Sequence, residues 1–407
     1  MIETSVDVKV ANGSIVTPKG FAATGVNAGI RKIRKDLGAI VCDVPASCAA
    51  VYTQNQFQAA PIQVTKESIA VQGKLQAIVV NSGNANACTG LQGEKDAYEM
   101  RALTAEQLQI ETHLVAVAST GVIGEALPME KIRNGIVTLS PVKNEQEAND
   151  FYEAILTTDL VTKRSCYQTM IDGQCVTIGG AAKGSGMIHP NMATMLAFVT
   201  TDANIESEVL QSALSSITDQ TFNQITVDGE TSTNDMVIVM ASGLAGNEPL
   251  HPGHPDWEHF YEALKQTCED LSKKIAKDGE GATKLVEVNV SGALTVKDAR
   301  IAAKKIVGSA LVKTAVYGED ANWGRIIGAL GHSEAVLDPE KIDISIGNIC
   351  VLKNSEPQQF SEEEAKQYLQ QDSIVIHVDL NIGTASGTAW GCDLSYDYVK
   401  INASYRT

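Results

Sequence analysis

The sequence lacks the excess of basic residues that nucleic-acid-binding proteins and membrane-surface proteins carry. Its 407 residues contain 32 Lys and Arg against 49 Asp and Glu, which gives a formal net charge of −17 at pH 7. This charge argues against nucleic acid or an anionic membrane as the main partner, because both would repel it. Hydrophobic residues make up 44% and charged residues 20% of the chain, as in an ordinary globular protein with ample core.

Long apolar runs, paired cysteines and phosphate-loop motifs are also missing. No run approaches the roughly 18 apolar residues of a membrane helix, and residues 1–6 do not resemble a signal segment, so we expect a cytoplasmic protein. The eight cysteines are scattered without a C-x-x-C pair, which predicts buried free thiols. None of the glycine-rich turns has the order G-x-x-x-x-G-K-[ST] or G-x-G-x-x-G, so we expect no nucleotide site of those kinds.

Short β-like runs alternate with amphipathic segments along the chain, without an internal repeat. Apolar, partly β-branched runs predict buried strands at 75–80, 113–118, 194–200 and 235–241. Helical spacing of apolar residues predicts helices at 94–109, 128–139, 145–156, 257–276 and 296–316, and the terminal run 398–401 predicts a strand. This mixture predicts an α/β (α+β layered) fold with sheets sandwiched by helices.

The central stretch, residues 183–196, reads KGSGMIHPNMATML and changes in composition between Ala193 and Thr194. Loop-forming residues precede that bond, and an apolar run follows it. A Thr that begins a buried strand after a loop suits a self-cleaving nucleophile, since cleavage leaves an α-amine beside its hydroxyl. Such an amine, with an ordinary pKa of about 7.7–8.0, can serve as the base near neutral pH. On composition alone, a purely structural Thr194 is the commoner interpretation.

The same stretch resembles the signature of the glutamate N-acetyltransferase (ornithine acetyltransferase) family of arginine biosynthesis. Further segments resemble the family in the same order, at 81–90, 119–124, 157–159, 278–284, 318–325 and 398–407. The resemblance implies an N-terminal-nucleophile-like, autoprocessed acyltransferase fold with two halves forming one site. Cleavage between Ala193 and Thr194 would give an N-terminal chain of residues 1–193 and a C-terminal chain of residues 194–407. Family members contain two copies of each chain, so we expect a heterotetramer.

The resemblance implies a ping-pong acetyl transfer. Thr194 would attack the acetyl carbonyl of N2-acetyl-L-ornithine, release ornithine and pass the acetyl group to L-glutamate. No bound cofactor is expected. No motif decides whether acetyl-CoA is a second donor, but we expect glutamate to be acetylated from acetyl-CoA as well, as in bifunctional bacterial members of the family. Two alternatives are an N-terminal-nucleophile aminopeptidase or amidase, in which water resolves the acyl-enzyme, and an uncleaved binding protein. The segments around Glu280 and Asn402 favour transfer, because they match the glutamate-specific part of the family pattern.

The resemblance also assigns the site residues, each of which has a plainer alternative. The Thr120 hydroxyl and the Gly121 N–H would form the oxyanion hole, although a turn that ends a strand also explains them. Lys183 would meet a substrate carboxylate, and Glu280 would hold the substrate ammonium; a solvated loop lysine and a surface turn are the alternatives. The remaining substrate-binding positions implied are Thr157, Thr194, Asn402 and the terminal Thr407.

Several histidines and acidic residues remain without an assigned role. His189 lies five residues before Thr194, which suggests a catalytic dyad. The family loop does not require a histidine there, so we interpret His189 as loop packing. The histidines at 251, 254 and 259 form no helical metal-binding face, and no metal is expected. The acidic segment 228–230 and Asp235 have no partner that the sequence identifies.

Overall fold

The computed structural model describes residues 7–189 and 195–404, and these residues fall into two compact units. The first unit contains residues 7–184, 195–219 and 231–271, and the second contains residues 185–189, 220–230 and 272–404. The units therefore differ from the two chains, 1–193 and 194–407, that self-cleavage would produce. The cleaved bond lies outside the described residues, so that division stays a prediction.

The described residues contain sixteen strands, eleven α-helices and two 3-10 helices, the latter at Thr112–Leu114 and Phe222–Gln224. The strands are β1 (Val8–Lys9), β2 (Phe21–Val26), β3 (Leu37–Tyr52), β4 (Lys74–Asn84), β5 (Val115–Val122), β6 (Lys163–Ile171), β7 (Gln174–Lys183), β8 (Leu196–Thr201), β9 (Ile225–Thr226), β10 (Met236–Ala241), β11 (Leu285–Ala293), β12 (Asp343–Ile346), β13 (Ile349–Lys353), β14 (Glu356–Pro357), β15 (Ser373–Asp379) and β16 (Ala385–Cys392). The helices are α1 (Ala60–Gln72), α2 (Gly90–Leu108), α3 (Met129–Ile136), α4 (Glu145–Ala154), α5 (Ser207–Gln220), α6 (Trp257–Lys277), α7 (Val296–Val307), α8 (Ala310–Tyr317), α9 (Trp323–Leu330), α10 (Glu362–Leu369) and α11 (Tyr396–Ala403).

The described part of the first unit is built on one nine-stranded sheet. Its order is β1-β6-β7-β8-β10-β3-β4-β5, with β2 paired to β3. Side chains alternate between the two faces of a strand. Ile78 and Val80 of β4 accordingly pack with Phe151 of α4, whereas Val79 packs in a separate cluster with Met100 of α2. Full burial of such a side chain contributes about 1.5–3 kcal/mol. Helices cover both faces here, which confirms the predicted sandwich.

The second unit has its own sheet, with seven strands among the residues described. The order is β14-β13-β12-β15-β11-β16-β9. Strand β11 pairs with β15 in parallel and with β16 in antiparallel orientation. Val286 and Val288 of β11 are buried in one apolar core with Ala302 and Ile306 of α7. This unit is therefore also a layered α/β structure.

Two predicted elements are wrong, and a local cap explains each. The helix predicted over 296–316 is two helices, α7 and α8, because the Ser309 hydroxyl accepts the Val312 N–H and starts a new helix. The strand predicted over 398–401 lies inside α11, whose cap is the Ser395 hydroxyl that accepts the Asp397 N–H. In both places a single serine determines where the helix begins.

The cysteines and the membrane prediction can be compared directly with the structure. All eight cysteines are free thiols. Those at 42, 48, 166, 268 and 392 are buried as predicted, but those at 88, 175 and 350 are exposed, so the prediction is wrong for three of them. Among the described residues, no helix combines the length and hydropathy that a membrane span requires.

Candidate functional site

The two predicted oxyanion residues lie in a strand and not in the turn that the sequence suggested. Thr120 and Gly121 are near the end of β5, which runs parallel to β4 with an irregular register at Gly83 and Asn84. Gly121 has φ 138°, and a side chain there would place its Cβ 2.3 Å from the carbonyl carbon of Gly83. Only glycine fits this position without moving the neighbouring backbone.

Buried amide side chains hold this strand end in place. The Asn234 Nδ2 donates to the Ser119 carbonyl at 2.8 Å and also to the Ala85 carbonyl. The Ser119 hydroxyl in turn donates to Asn81 Oδ1 at 2.6 Å. Buried polar groups that satisfy one another restrict the backbone to one arrangement. The strand that carries Thr120 is therefore held at Ser119 through both its carbonyl and its side chain.

Lys183 is a buried strand residue, which corrects its interpretation as a loop lysine. It ends β7, pairs with Leu196 of β8, and is only 7% exposed. Its Nζ donates to the Thr157 hydroxyl at 2.7 Å and to the Thr120 hydroxyl at 3.2 Å. Three residues that the resemblance assigned to the site, Thr120, Thr157 and Lys183, are therefore in contact.

A buried carboxylate organises the same cluster. Asp159 is fully buried and accepts hydrogen bonds from Lys163 Nζ at 2.7 Å, from the Gly184 N–H at 2.7 Å and from the Thr157 N–H at 2.9 Å. Burial alone would raise the pKa of Asp159, but the Lys183 and Lys163 cations and the Gly184 N–H hold it well below its ordinary value. Asp159 is therefore an ionised carboxylate inside the protein.

A second buried carboxyl in this unit behaves in the opposite way. Asp235 is 3% exposed and precedes β10, where the Met236 N–H donates to the Met195 carbonyl at 3.0 Å. Burial raises the pKa of Asp235 well above its ordinary value, despite a hydrogen bond from Ser232 and the positive charge of Lys183. Burial therefore disfavours the charged form of Asp235.

In the second unit, Glu280 contacts Asn402, which the resemblance also assigned to the site. It is 7% exposed, its N–H donates to the Ser185 carbonyl at 3.0 Å, and its Oε2 accepts from Asn402 Nδ2 at 2.8 Å. A Cβ on Gly186 would come within 2.4 Å of the Glu280 carboxyl group. Glycine at 186 therefore leaves room for this carboxylate.

Asp228, for which the sequence suggested no partner, holds the loop that leads towards the predicted cleavage bond. Its carboxylate accepts the Met187 N–H at 2.6 Å and the Ile188 N–H at 2.9 Å. Tyr398 of α11 lies against the same carboxylate, and burial together with that negative charge raises the pKa of its phenol. One carboxylate thus links the loop to the C-terminal helix within this unit.

His189 is half-buried and packed, in agreement with its interpretation as a loop residue. Its Nδ1 lies 2.9 Å from the Thr226 hydroxyl, which donates to the Ile188 carbonyl at 3.2 Å. The Thr226 oxygen is therefore the acceptor, and Nδ1 carries the proton. Burial, with Lys304 and Lys305 nearby, lowers the pKa of His189 to about 4. The ring is neutral at physiological pH.

Three predicted site residues, Ala193, Thr194 and the terminal Thr407, lie outside the described residues. Their assignments as cleavage site, nucleophile and substrate ligand therefore stay predictions. The roles of Thr120, Gly121, Thr157, Lys183, Glu280 and Asn402 also stay predictions, although the structure shows their contacts within each unit.

Comparison with known proteins now identifies the family. The sequence profile of the ArgJ family matches residues 22–407. The chain belongs to the ArgJ family. It is 69% identical to the arginine biosynthesis bifunctional protein ArgJ of Geobacillus kaustophilus over 405 residues, which cover 100% of this chain and 99% of that protein. It is 67% identical to the ArgJ protein of Bacillus cereus strain ATCC 10987 over 407 residues, which cover all of both chains. The predicted resemblance is confirmed.

Solved structures of ArgJ-type proteins are also similar over part of the chain. A crystallised ArgJ chain from Bacillus halodurans is 62% identical and covers 47% of this chain and 100% of its own length, with a TM-score of 0.46. A chain of the ornithine acetyltransferase from Mycobacterium tuberculosis, crystallised with ornithine, is 34% identical and covers 46% of this chain and 100% of its own length, with a TM-score of 0.43.

Sequence reasoning missed two carboxylates that accept backbone N–H groups near the candidate site residues. Asp159 falls inside the matched segment 157–159, but nothing in the sequence pairs it with Lys163 or with the Gly184 N–H. Asp228 was noticed only as an acidic residue. Both carboxylates accept N–H groups from residues distant in the sequence, and such a pairing becomes visible only in the fold.

One group of histidine and carboxylate side chains could be considered for a metal. Within the described ranges, Asp172, His254 and Asp256 bring ligand atoms within 4.8 Å of one another. His254 already uses both ring nitrogens, because Nδ1 accepts the Asp256 N–H at 3.1 Å and Nε2 lies 3.2 Å from Asp172 Oδ2. These contacts order the segment that enters α6, and the group does not fit a metal site in this arrangement.

Proposed function

We propose that this chain transfers the acetyl group of N2-acetyl-L-ornithine to L-glutamate through an acetyl intermediate on Thr194. The chain is an ArgJ-family enzyme of arginine biosynthesis, and the finer proposal adds the residues that perform the reaction. The observation that carries it is the contact of Lys183 Nζ with the Thr120 hydroxyl at 3.2 Å, in a buried cluster beside strand β8. Such a cluster can stabilise negative charge that develops on a bound acyl group.

The first step is attack of the Thr194 hydroxyl oxygen on the acetyl carbon of acetylornithine. A tetrahedral oxyanion forms and then collapses, which breaks the carbon–nitrogen bond, releases ornithine and leaves an acetyl ester on Thr194. The amine of glutamate then attacks that ester, and a second collapse returns the free hydroxyl. The α-amine of Thr194 would accept the hydroxyl proton and deliver it to the leaving amine.

We assign the oxyanion contacts to the Thr120 hydroxyl and the Gly121 N–H. Because the Thr120 oxygen accepts from Lys183 Nζ, its own proton remains available for donation to a third group. The positive charge of Lys183 makes that hydroxyl a stronger donor. Losing one such donor typically lowers the rate by about 10²–10³-fold.

We assign binding of the amino-acid substrates to the remaining residues that the family pattern implies. Lys183 would attract a substrate carboxylate, and Thr157, Thr194 and Thr407 would contribute hydrogen bonds. Glu280 would hold the substrate ammonium, since its carboxylate, although it accepts from Asn402, has capacity for further donors. Asn402 would keep that carboxylate in one orientation.

We further propose the maturation, assembly and surroundings of the enzyme. Self-cleavage between Ala193 and Thr194 would free the α-amine, and two copies of each resulting chain would form a heterotetramer. The enzyme would act in the cytoplasm on small molecules, without a bound cofactor, nucleic acid or membrane. Acetyl-CoA would be a second acetyl donor, as the bifunctional names of the relatives suggest.

The proposal is tested by measuring acetylglutamate formation from acetylornithine and, separately, from acetyl-CoA. Release of about one ornithine per Thr194 chain without glutamate, followed by turnover when glutamate is added, is the expected ping-pong result. If acetate accumulates as fast without glutamate as with it, the enzyme is a hydrolase, and the aminopeptidase or amidase alternative replaces the transferase. If neither donor acetylates glutamate, the proposed function is wrong.

A further inference from the structure

Asp159 stands at the centre of the buried cluster of the first unit. It is 0% exposed and lies in the loop between α4 and β6. One oxygen, Oδ1, accepts from Lys163 Nζ and from the Gly184 N–H, both at 2.7 Å, and the other accepts from the Thr157 N–H at 2.9 Å. The carboxylate thus ties residues 157–163 to the backbone at the end of β7.

Two of those connections flank Lys183 directly. Gly184 follows Lys183 in the chain, so the bond from its N–H fixes the end of β7. Thr157 accepts from Lys183 Nζ at 2.7 Å, so the bond from its own N–H fixes the residue on which that ammonium rests. Lys183 is therefore held at its backbone and at its charged end by one carboxylate.

The same carboxylate also balances the charge of Lys183. Asp159 stays ionised because the Lys183 and Lys163 cations oppose the effect of burial on its pKa. The attraction is mutual, so the anion favours an ammonium at Lys183 that points towards Thr157 and Thr120. Lys183 Nζ reaches the Thr120 oxygen at 3.2 Å in that position.

We propose that Asp159 is a positioning residue of the acetyl-transfer reaction, which holds the Lys183 ammonium against the Thr120 hydroxyl so that the hydroxyl proton is directed at the oxyanion. This inference rests on the proposed function. Asp159 acts through Lys183 and Thr120 and need not touch the substrate. Removing its charge should therefore lower kcat, since the oxyanion exists only in the transition state, and should raise KM only through the contact of Lys183 with the substrate carboxylate.

The test measures acetyl transfer by Asp159→Asn and by Asp159→Asn combined with Lys163→Met. The double variant is included because Asp159→Asn alone leaves the buried Lys163 without its carboxylate partner, which strongly destabilises the folded protein. Removing both charges is better tolerated. Rates are expressed per chain that begins at Thr194, counted by mass spectrometry. We expect kcat to fall about 10–100-fold, the range known for side chains that orient a metal-bound ligand, and KM to rise where the displacement of Lys183 weakens its contact with the substrate carboxylate.

Asp202→Asn is the matched control. Asp202 is also a buried carboxyl of the first unit that accepts backbone N–H groups, from Thr177 at 2.8 Å and from Lys19 at 3.1 Å. Its loss should lower stability but leave kcat within about threefold of the wild type. The comparison therefore separates a general effect of losing a buried carboxylate from an effect on the reaction.

A double-mutant cycle with Thr120→Ala decides whether Asp159 acts through that hydroxyl. If it does, the Asp159 substitution should lower kcat by less than about threefold once Thr120 is alanine, because coupled residues are not additive. If the losses of kcat from the Asp159 and Thr120 substitutions are additive, or if a folded Asp159 variant keeps the wild-type kcat, the inference is overturned. An inactive wild type would instead overturn the proposed function, so the two failures are distinguishable.

Discussion

Gly121→Ala tests the oxyanion assignment with a single methyl group. A Cβ at this position would lie 2.3 Å from the Gly83 carbonyl carbon and 2.5 Å from the Asn84 nitrogen, although real Cβ atoms essentially never approach within 3.0 Å. The two strands must therefore separate by about 0.7 Å there (3.0 − 2.3 Å). Both obstructing atoms belong to the backbone of β4, so no side chain can rotate away, and the displacement falls on the strand that carries the Gly121 N–H.

The expected size of the effect follows from this displacement. A misplacement of about 1 Å can lower a rate by about 10²-fold, and complete loss of one oxyanion donor lowers it by about 10²–10³-fold. We therefore expect kcat of Gly121→Ala to fall about 100-fold, with KM within about threefold, because the oxyanion is absent from the ground state. Steady-state acetylglutamate formation, expressed per chain that begins at Thr194, measures both constants.

Gly124→Ala provides the matched control. Gly124 also has a positive φ, 82°, but no atom lies within 4 Å of a Cβ built there. Alanine at 124 therefore meets left-handed backbone strain of about 1–2 kcal/mol without a steric clash, and its kcat should equal that of the wild type. If Gly121→Ala retains a kcat within threefold of Gly124→Ala, the Gly121 N–H is not an oxyanion donor.

Three further predictions concern other parts of the chain. Thr194→Ala should remain one full-length band on denaturing electrophoresis and form no acetylglutamate; two bands would remove Thr194 from its proposed role. Gly186→Ala should raise KM for glutamate with little loss of stability, because its Cβ meets the end of the flexible Glu280 side chain; an unchanged KM would contradict the role of Glu280. Burial and two nearby lysines lower the pKa of His189 to about 4. Between that value and about 6.5, this histidine is therefore more protonated in the unfolded chain than in the folded chain. Stability measured by urea unfolding should rise with pH across this window by at most about 1.4 kcal/mol per unit, and His189→Gln should lack that slope.

The sheets and most helices could be predicted because apolar periodicity reports burial. Runs such as 75–80 and 235–241 contain the apolar residues of central strands, and β4 and β10 are found there. Periodicity does not report where a helix is interrupted, since Ser309 restarts a helix through one hydrogen bond. Four residues, 398–401, are too few for a strand and a helix to be distinguished by pattern.

The contacts of the candidate site could not be predicted, since they join distant residues. Lys183 meets Thr120 across 63 positions, and Asp228 meets the Met187 N–H across 41. A sequence of this kind indicates residue types and family segments, but the pairing of side chains depends on which strands are neighbours. Lys183 illustrates the difference, because its loop-like sequence context predicted solvation and the fold buries it at the end of β7.

Two of the buried aspartates of the first unit respond to burial in opposite ways. Asp159 lies between two lysines and backbone N–H groups, which hold its pKa well below the ordinary value, whereas burial dominates at Asp235 and raises its pKa well above that value. Asp159 is therefore the carboxylate that can balance the charge of Lys183, and its hydrogen bonds from the Gly184 and Thr157 N–H groups hold it beside that residue. Lys183 Nζ contacts the Thr120 hydroxyl, so the positive charge that would support the oxyanion contact depends on one carboxylate whose position the backbone fixes.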